Sequence, residues 1–155
     1  MKIAVFSDTH KHINGALRTI VREQPDLILH LGDHYADAQR IHEQFPEIPM
    51  EAVPGNCDYA PALEETKLLE CEGFRLMITH GHRYSVKYQL DSLLNAAYFQ
   101  QANLVLFGHT HRALHTVVEG IHLVNPGSAG LSTPPTWAKI ILQQGEEPVV
   151  SIEEL

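Results

Sequence analysis

The sequence predicts an α/β fold in which two mixed β-sheets pack together between layers of helix. Three observations point there. Short apolar runs of strand length alternate with stretches whose apolar residues recur at helical spacing. Several of those runs stop abruptly in a turn carrying Asp, Asn or His. Further along, Gly73 and the pair Glu119 and Gly120 each separate two strand-like runs, as hairpin turns do.

Residues 1–7 read as the first strand. A helix over Asn14–Glu23 carries Ala16, Leu17, Ile20 and Val21 on one stripe, with Asn14 placed to cap it and Pro25 to end it. Residues 27–31 form the second strand, and the strand–helix–strand order implies a parallel pair with a right-handed crossover. A short helix over Tyr35–Gln44 stops before Pro46, and residues 50–53 form the third strand. Residues 67–72 and Phe74–Thr79 make the first hairpin. Residues 85–101 read as the longest helix, with Val86, Leu90, Leu93, Leu94 and Ala97 as its apolar face. Leu104–Phe107 is a strand, Leu114–Val118 and Ile121–Asn125 form the second hairpin, and residues 137–142 and 149–152 are closing strands. No repeat, low-complexity tract or linker interrupts the series, so the 155 residues are expected to form a single domain spanning 1–155.

Composition narrows the function. Hydrophobic content of 44% and charged content of 19% are those of a soluble globular protein. No apolar stretch is long enough to span a bilayer, and the chain begins directly with a strand, so neither membrane insertion nor a signal peptide is expected. Cys57 and Cys71 do not make a disulfide framework, and a reduced, cytoplasmic protein follows. A formal charge of −8 argues against a protein that holds long nucleic acid by neutralising phosphates. It does not exclude a small phosphate ester.

The chemistry sits at five strand ends. The first run ends in Ser7-Asp8-Thr9-His10, the second in Gly32-Asp33-His34 and the third in Pro54-Gly55-Asn56-Cys57-Asp58. The run before Thr79 ends in Thr79-His80-Gly81-His82, and the run over 102–107 in Gly108-His109-Thr110-His111. Ligands of open α/β sheets collect at the carboxyl ends of strands. Each motif also has a plainer reading. Asp8 could cap a helix, Asn56 could serve a turn at positive φ, and His-x-His occurs by chance on loops. Turn composition accounts for one or two of these motifs but not for five in series.

Asp-x-His, Gly-Asp, Gly-Asn, His-Gly-His and Gly-His-Thr-His, in that order over residues 2 to 130, resemble the calcineurin-like metallophosphoesterase superfamily. The short chain and its Gly-Asn-Cys-Asp variant are similar to the small YfcE-type phosphodiesterases. The resemblance implies a four-layer α/β/β/α sandwich of two mixed β-sheets flanked by helices. It also implies two divalent metal ions, one held by Asp8, His10, Asp33 and His111, the other by Asp33, Asn56, His80 and His109. Asp33 would bridge them. His82 would contact the phosphate or support the ligands. In this chain Cys57 stands where larger superfamily members carry a histidine that protonates the leaving group.

A mixed N/O donor set without thiolate suits an open catalytic site for Mn, with Ni, Fe or Zn as alternatives, rather than a closed structural zinc site. Two such ions, facing only two carboxylates, leave a net positive centre able to bridge a hydroxide and clamp a phosphoryl group. The expected activity is hydrolysis of small phosphodiesters, with Asp33, Asn56, His80 and His82 at the reacting centre. Two other readings stay open. One is a phosphomonoesterase. The other is a non-catalytic, protein-binding scaffold of the retromer-subunit type, which shares this fold. The sequence leaves self-association undecided. His30, inside the second strand, reads as a packed or hydrogen-bonded core residue. The turn Asn125-Pro126-Gly127-Ser128 is expected to support the site.

Overall fold

A computed structural model of the chain describes residues 1–59 and 62–155. In order the elements are β1 (Lys2–Phe6), α1 (Asn14–Glu23), β2 (Leu27–His30), α2 (Tyr35–Gln44), β3 (Met50–Ala52), β4 (Thr66–Cys71) and β5 (Phe74–Thr79). A 3₁₀ turn at His82–Tyr84 precedes α3 (Asp91–Phe99), followed by β6 (Leu104–Phe107), β7 (Leu114–Val118), β8 (Ile121–Asn125), β9 (Thr136–Ile141) and β10 (Val149–Glu154). The strands form two five-stranded sheets, ordered β10-β9-β1-β2-β3 and β4-β5-β6-β8-β7. Both are mixed. In the first, β1, β2 and β3 run parallel while β9 and β10 are antiparallel. In the second, β5, β6 and β8 run parallel while β4 and β7 form the hairpins.

The apolar residues of the central strands go to two faces by turns, as the period of two requires. Ile3 and Val5 of β1, Leu29 of β2, Leu76 and Ile78 of β5, and Leu104 and Leu106 of β6 meet in one cluster between the sheets. Their neighbours Ala4, Phe6 and Ile28 pack outward against Ala16 and Ile20 of α1 and Ile41 of α2. Met77, Val105 and Phe107 pack outward against Leu93 and Ala97 of α3. The layers are therefore helix, sheet, sheet, helix. A strand buried on both faces needs an unbroken apolar run, which is why these segments read so clearly. None of the helices is long and apolar enough to cross a membrane among the described residues.

Strand ends fall within one or two residues of expectation, and α1 and α2 match it. Two expectations are corrected. Residue 13, not Asn14, is the N-cap of α1, and no side chain bonds there. Asn14 is already helical, so its amide cannot reach the first free N–H groups. The helix expected over 85–101 is only the nine residues of α3. Ser85 takes φ 56°, which breaks any helix through it. Val86 is buried against Gly81 without being helical. Its place in the apolar stripe came from spacing, but its burial comes from plugging the turn that leaves β5.

Candidate metal centre

The turns that follow β1, β2, β3, β5, β6 and β8 converge on one edge of the sandwich. Asp8 is fully buried, and its two oxygens have different surroundings. Oδ2 accepts the Ser7 hydroxyl at 2.5 Å and the His109 backbone N–H at 3.1 Å. Oδ1 has no hydrogen-bond donor. It faces His111 Nε2 at 3.1 Å and His80 Nε2 at 4.0 Å. The first of these distances is that of a hydrogen bond, but the angles are not, as for two atoms aimed at a common third point.

Asp33, also buried, is divided in the same way. Oδ2 lies 3.6 Å from His10 Nε2, and Oδ1 lies 3.4 Å from His80 Nε2 while accepting the Cys57 N–H at 3.0 Å. His10 Nε2 is buried without a partner. Donor atoms of Asp8, His10, Asp33 and His111 all lie within 4.8 Å of one another.

On the other side of Asp33, His80 is fully buried, and Nδ1 meets the Leu31 carbonyl at 2.7 Å. A carbonyl only accepts, so Nδ1 carries the proton, and in the neutral ring the Nε2 lone pair points into the site. There it meets Asn56 Oδ1 at 3.1 Å, with the amide nitrogen of Asn56 turned to Cys57 Sγ at 3.5 Å. With the ring in that form, Asn56 Oδ1 and Asp33 Oδ1 both face the His80 Nε2 lone pair, three acceptors with no proton among them. A cation relieves that arrangement, and the orphaned Asp8 Oδ1 and His10 Nε2 pose the same demand on the first side. The residues on the first side therefore fit a metal ion, and Asp33, Asn56 and His80 gather close enough on the other side to offer donors to a second.

His109 packs its ring 5.0 Å from His80, and His82 lies 5.5 Å from His80 and 6.2 Å from His109. His82 Nδ1 is buried and unpartnered, while Nε2 is 3.9 Å from Glu65. Burial pushes the His109 pKa down to about 4, with the charges of His80 and Lys87 adding to it, and burial also lowers His10 and His82. These rings stay neutral at pH 7 and keep lone pairs for ligation. The contact with Asp8 raises His111. Burial works against ionising Asp8, but the contacts with His111, His80 and Ser7 outweigh it and lower its pKa.

Asp8, His10, Asp33, His109 and His111 all have positive φ, and Asn56 does not. Asn56 thus lies in the turn closed by the Asp58 N–H to the Gly55 carbonyl without the positive φ that would by itself account for an asparagine there. The capping reading of Asp8 fails. Two glycines are present for close approach. A Cβ at Gly108 would strike Ser7 Oγ and Asp8 Oδ2, and one at Gly55 would strike the Asp33 carboxylate.

Several supports were not legible in the sequence. Both oxygens of Asp58 are taken by backbone, Oδ1 by Tyr35 N–H and Oδ2 by Gly55 N–H, each at 2.8 Å. Asp37, 2% exposed, accepts the Thr9 hydroxyl at 2.8 Å and the Lys11 N–H at 2.7 Å, pinning the turn after β1 from below. Its place in α2 carries no periodic signal that would mark it. His30 continues that chain, with Nε2 3.1 Å from Thr9 Oγ1 and Nδ1 accepting the Gly32 N–H at 3.3 Å.

Comparison with known proteins places the chain among phosphoesterases. The calcineurin-like phosphoesterase superfamily domain matches residues 1–144. The probable metallophosphoesterase YsnB of Bacillus subtilis is 31% identical over 135 residues, covering 84% of this chain and 76% of that protein. Phosphodiesterase MJ0936 of Methanocaldococcus jannaschii is 25% identical over 146 residues, covering 82% and 83%. The crystal structure of a predicted phosphoesterase from Streptococcus pneumoniae superposes with a TM-score of 0.84 at 22% identity, covering 99% of this chain and 88% of that one.

Proposed function

The chain belongs to the calcineurin-like phosphoesterase superfamily, and from that premise we propose that it is a two-metal phosphodiesterase acting on small phosphodiesters. The observation that carries the reading is the division of Asp33, with one carboxylate oxygen toward His10 and the other toward His80 and Asn56. Asp8, His10, Asp33 and His111 would hold one ion, and Asp33, Asn56, His80 and His109 the other. Bound there, two divalent ions, Mn foremost, would supply Lewis-acid activation of the ester and of water.

The chain's own residues supply the rest. His80 is held in one tautomer by the Leu31 carbonyl, so its ligating nitrogen needs no rearrangement. Ser7 and the His109 amide hold Asp8 Oδ2, which leaves Oδ1 for the centre. His82 would orient a phosphoryl oxygen from beside His80. The preference for diesters is supported by the relative that bears the name phosphodiesterase. The metal chemistry alone serves monoesters too.

The test is turnover of bis(4-nitrophenyl) phosphate by protein loaded with Mn, with elemental analysis alongside. Two ions per chain, loss of activity on chelation, and a folded but inactive Asp33→Asn variant are expected. Fully loaded wild-type protein that hydrolyses no aryl phosphodiester would move the reading to a monoesterase or to a binding scaffold. A monoester assay on the same sample would decide between those two.

A further inference from the structure

The chain has 11 Lys and Arg against 19 Asp and Glu. Seven of these cations pair with a carboxylate, namely Lys2, Arg22, Arg40, Lys67, Arg75, Arg83 and Lys139. Among the described residues the four that do not are Lys11, Arg18, Lys87 and Arg112. They are grouped in pairs. Lys11 and Arg18 line a small cleft beside the turn after β1. Lys87 and Arg112 line a larger cleft of about 570 Å³ between the loops that follow β5 and β6. An acidic surface offers many places to neutralise a cation, so keeping the free ones beside the candidate centre calls for a reason.

The larger cleft has the build of a ligand site. Its volume is in the usual range for small-molecule pockets. Val86 and Phe107, both buried, give it an apolar floor. Thr110, which lines it, stands between His109 and His111, so the cleft begins where the candidate ligands end. Asn125 Nδ2 fixes the Thr110 hydroxyl at 3.1 Å. Tyr88 also lines the cleft and is 91% exposed, leaving a ring face free for a planar group.

We propose that this cleft seats one substituent of the phosphodiester, and that Lys87 and Arg112 select substituents carrying a second phosphate. The inference rests on the phosphodiesterase reading above. A neutral substituent gains only the apolar floor and leaves both cations to water. A second phosphate gains charge-assisted hydrogen bonds in a half-enclosed space, where they are stronger than on an open surface. Arg112 can engage two phosphate oxygens at once, and Lys87 acts as a point charge.

The test uses two diesters with the same leaving group, the 4-nitrophenyl ester of thymidine 5′-phosphate with and without a 3′-phosphate. Metal-loaded wild type is compared with the Lys87→Ala/Arg112→Ala double variant, in which both replaced side chains are exposed and the fold is not at risk. Wild type is expected to favour the 3′-phosphorylated diester by about tenfold in kcat/KM, through KM, the scale of one hydrogen bond to a charged group. The ratio should fall to about one in the double variant. In parallel, calorimetry should show a similar preference for thymidine 3′,5′-bisphosphate over thymidine 5′-phosphate, lost in the same variant. Equal kcat/KM for the two diesters in wild type, or a preference that survives the double substitution, overturns the proposal. If neither diester is hydrolysed, it is the phosphodiesterase reading that fails, and the calorimetric preference alone then decides the cleft.

Discussion

Five of the seven candidate ligands sit at positive φ, a conformation that costs a non-glycine residue on the order of 1–3 kcal/mol. Such strain persists only where the surroundings over-determine it, and at Asp8 they do, through Ser7, the His109 amide and the bond from Ser128 Oγ to its carbonyl. Cys57 is different. It is exposed at the rim, beside Asn56, and its neighbour Asp58 has both oxygens committed to backbone. A thiol there is a poor replacement for an imidazole that protonates a leaving group. We therefore expect activated aryl diesters to be hydrolysed much faster than alkyl ones. Cys57→Ala should cost less than about threefold on the aryl diester, far below the factor of about 10²–10⁴ that a general acid contributes. Cys57→His should help alkyl leaving groups only weakly, because Asp58 is not free to orient the ring. A leaving-group series on the three proteins checks this. A drop of about a hundredfold for Cys57→Ala on the aryl diester would show a catalytic thiol.

At the scale of elements, the turn after β8 explains why a strand that offers no candidate ligand still matters. Asn125 is fully buried, donates to the Gly108 carbonyl at 2.8 Å and to Thr110 Oγ1, and accepts the Gly127 N–H at 2.9 Å. It thereby holds the loop that carries His109 and His111. Asn125→Ala would leave the buried Gly108 carbonyl and Gly127 N–H short of partners. A loss of about 2–3 kcal/mol of stability is expected, with weaker metal binding at the His111 side. Urea unfolding and metal titration measure the two effects, and a change below about 0.5 kcal/mol would mean that the loop holds itself. The shortening of α3 belongs to the same scale. Apolar spacing alone matched a helix from residue 85, but the chain there has to round the edge of β5 and wall a cleft.

For the whole molecule, the buried polar chain under the centre couples stability to pH. Burial lowers the His30 pKa to about 4 from its ordinary 6.5. The unfolded chain takes up this proton near 6.5, and the folded one resists it to about 4. In that window the unfolded state binds more protons, so the contribution is full above about pH 6.5 and is withdrawn as pH falls toward 4. It amounts to about 3 kcal/mol. Urea unfolding of metal-free protein between pH 7.5 and 4.5 should show a shallower pH dependence for His30→Gln, which keeps an acceptor for Gly32 and a donor for Thr9. Parallel curves for the two proteins would assign the acid sensitivity to other groups.

The layered fold, the hairpins at Gly73 and Gly120, the bounds of α1 and α2, and the donors at strand ends were legible in the sequence. Each is encoded within a few neighbouring residues, as apolar period or turn chemistry. The geometry of the centre was not. Which oxygen of Asp33 faces which imidazole, which tautomer His80 holds, and what Asp37 and Asp58 bond all depend on contacts between distant segments. The bond from His109 N–H to Asp8 Oδ2 spans 101 residues, and that from His80 to Leu31 spans 49. The free cations of Lys87 and Arg112 also became visible only once folding had paired the others. Local sequence sets what each strand end carries, and only the packing of two sheets sets what those ends face.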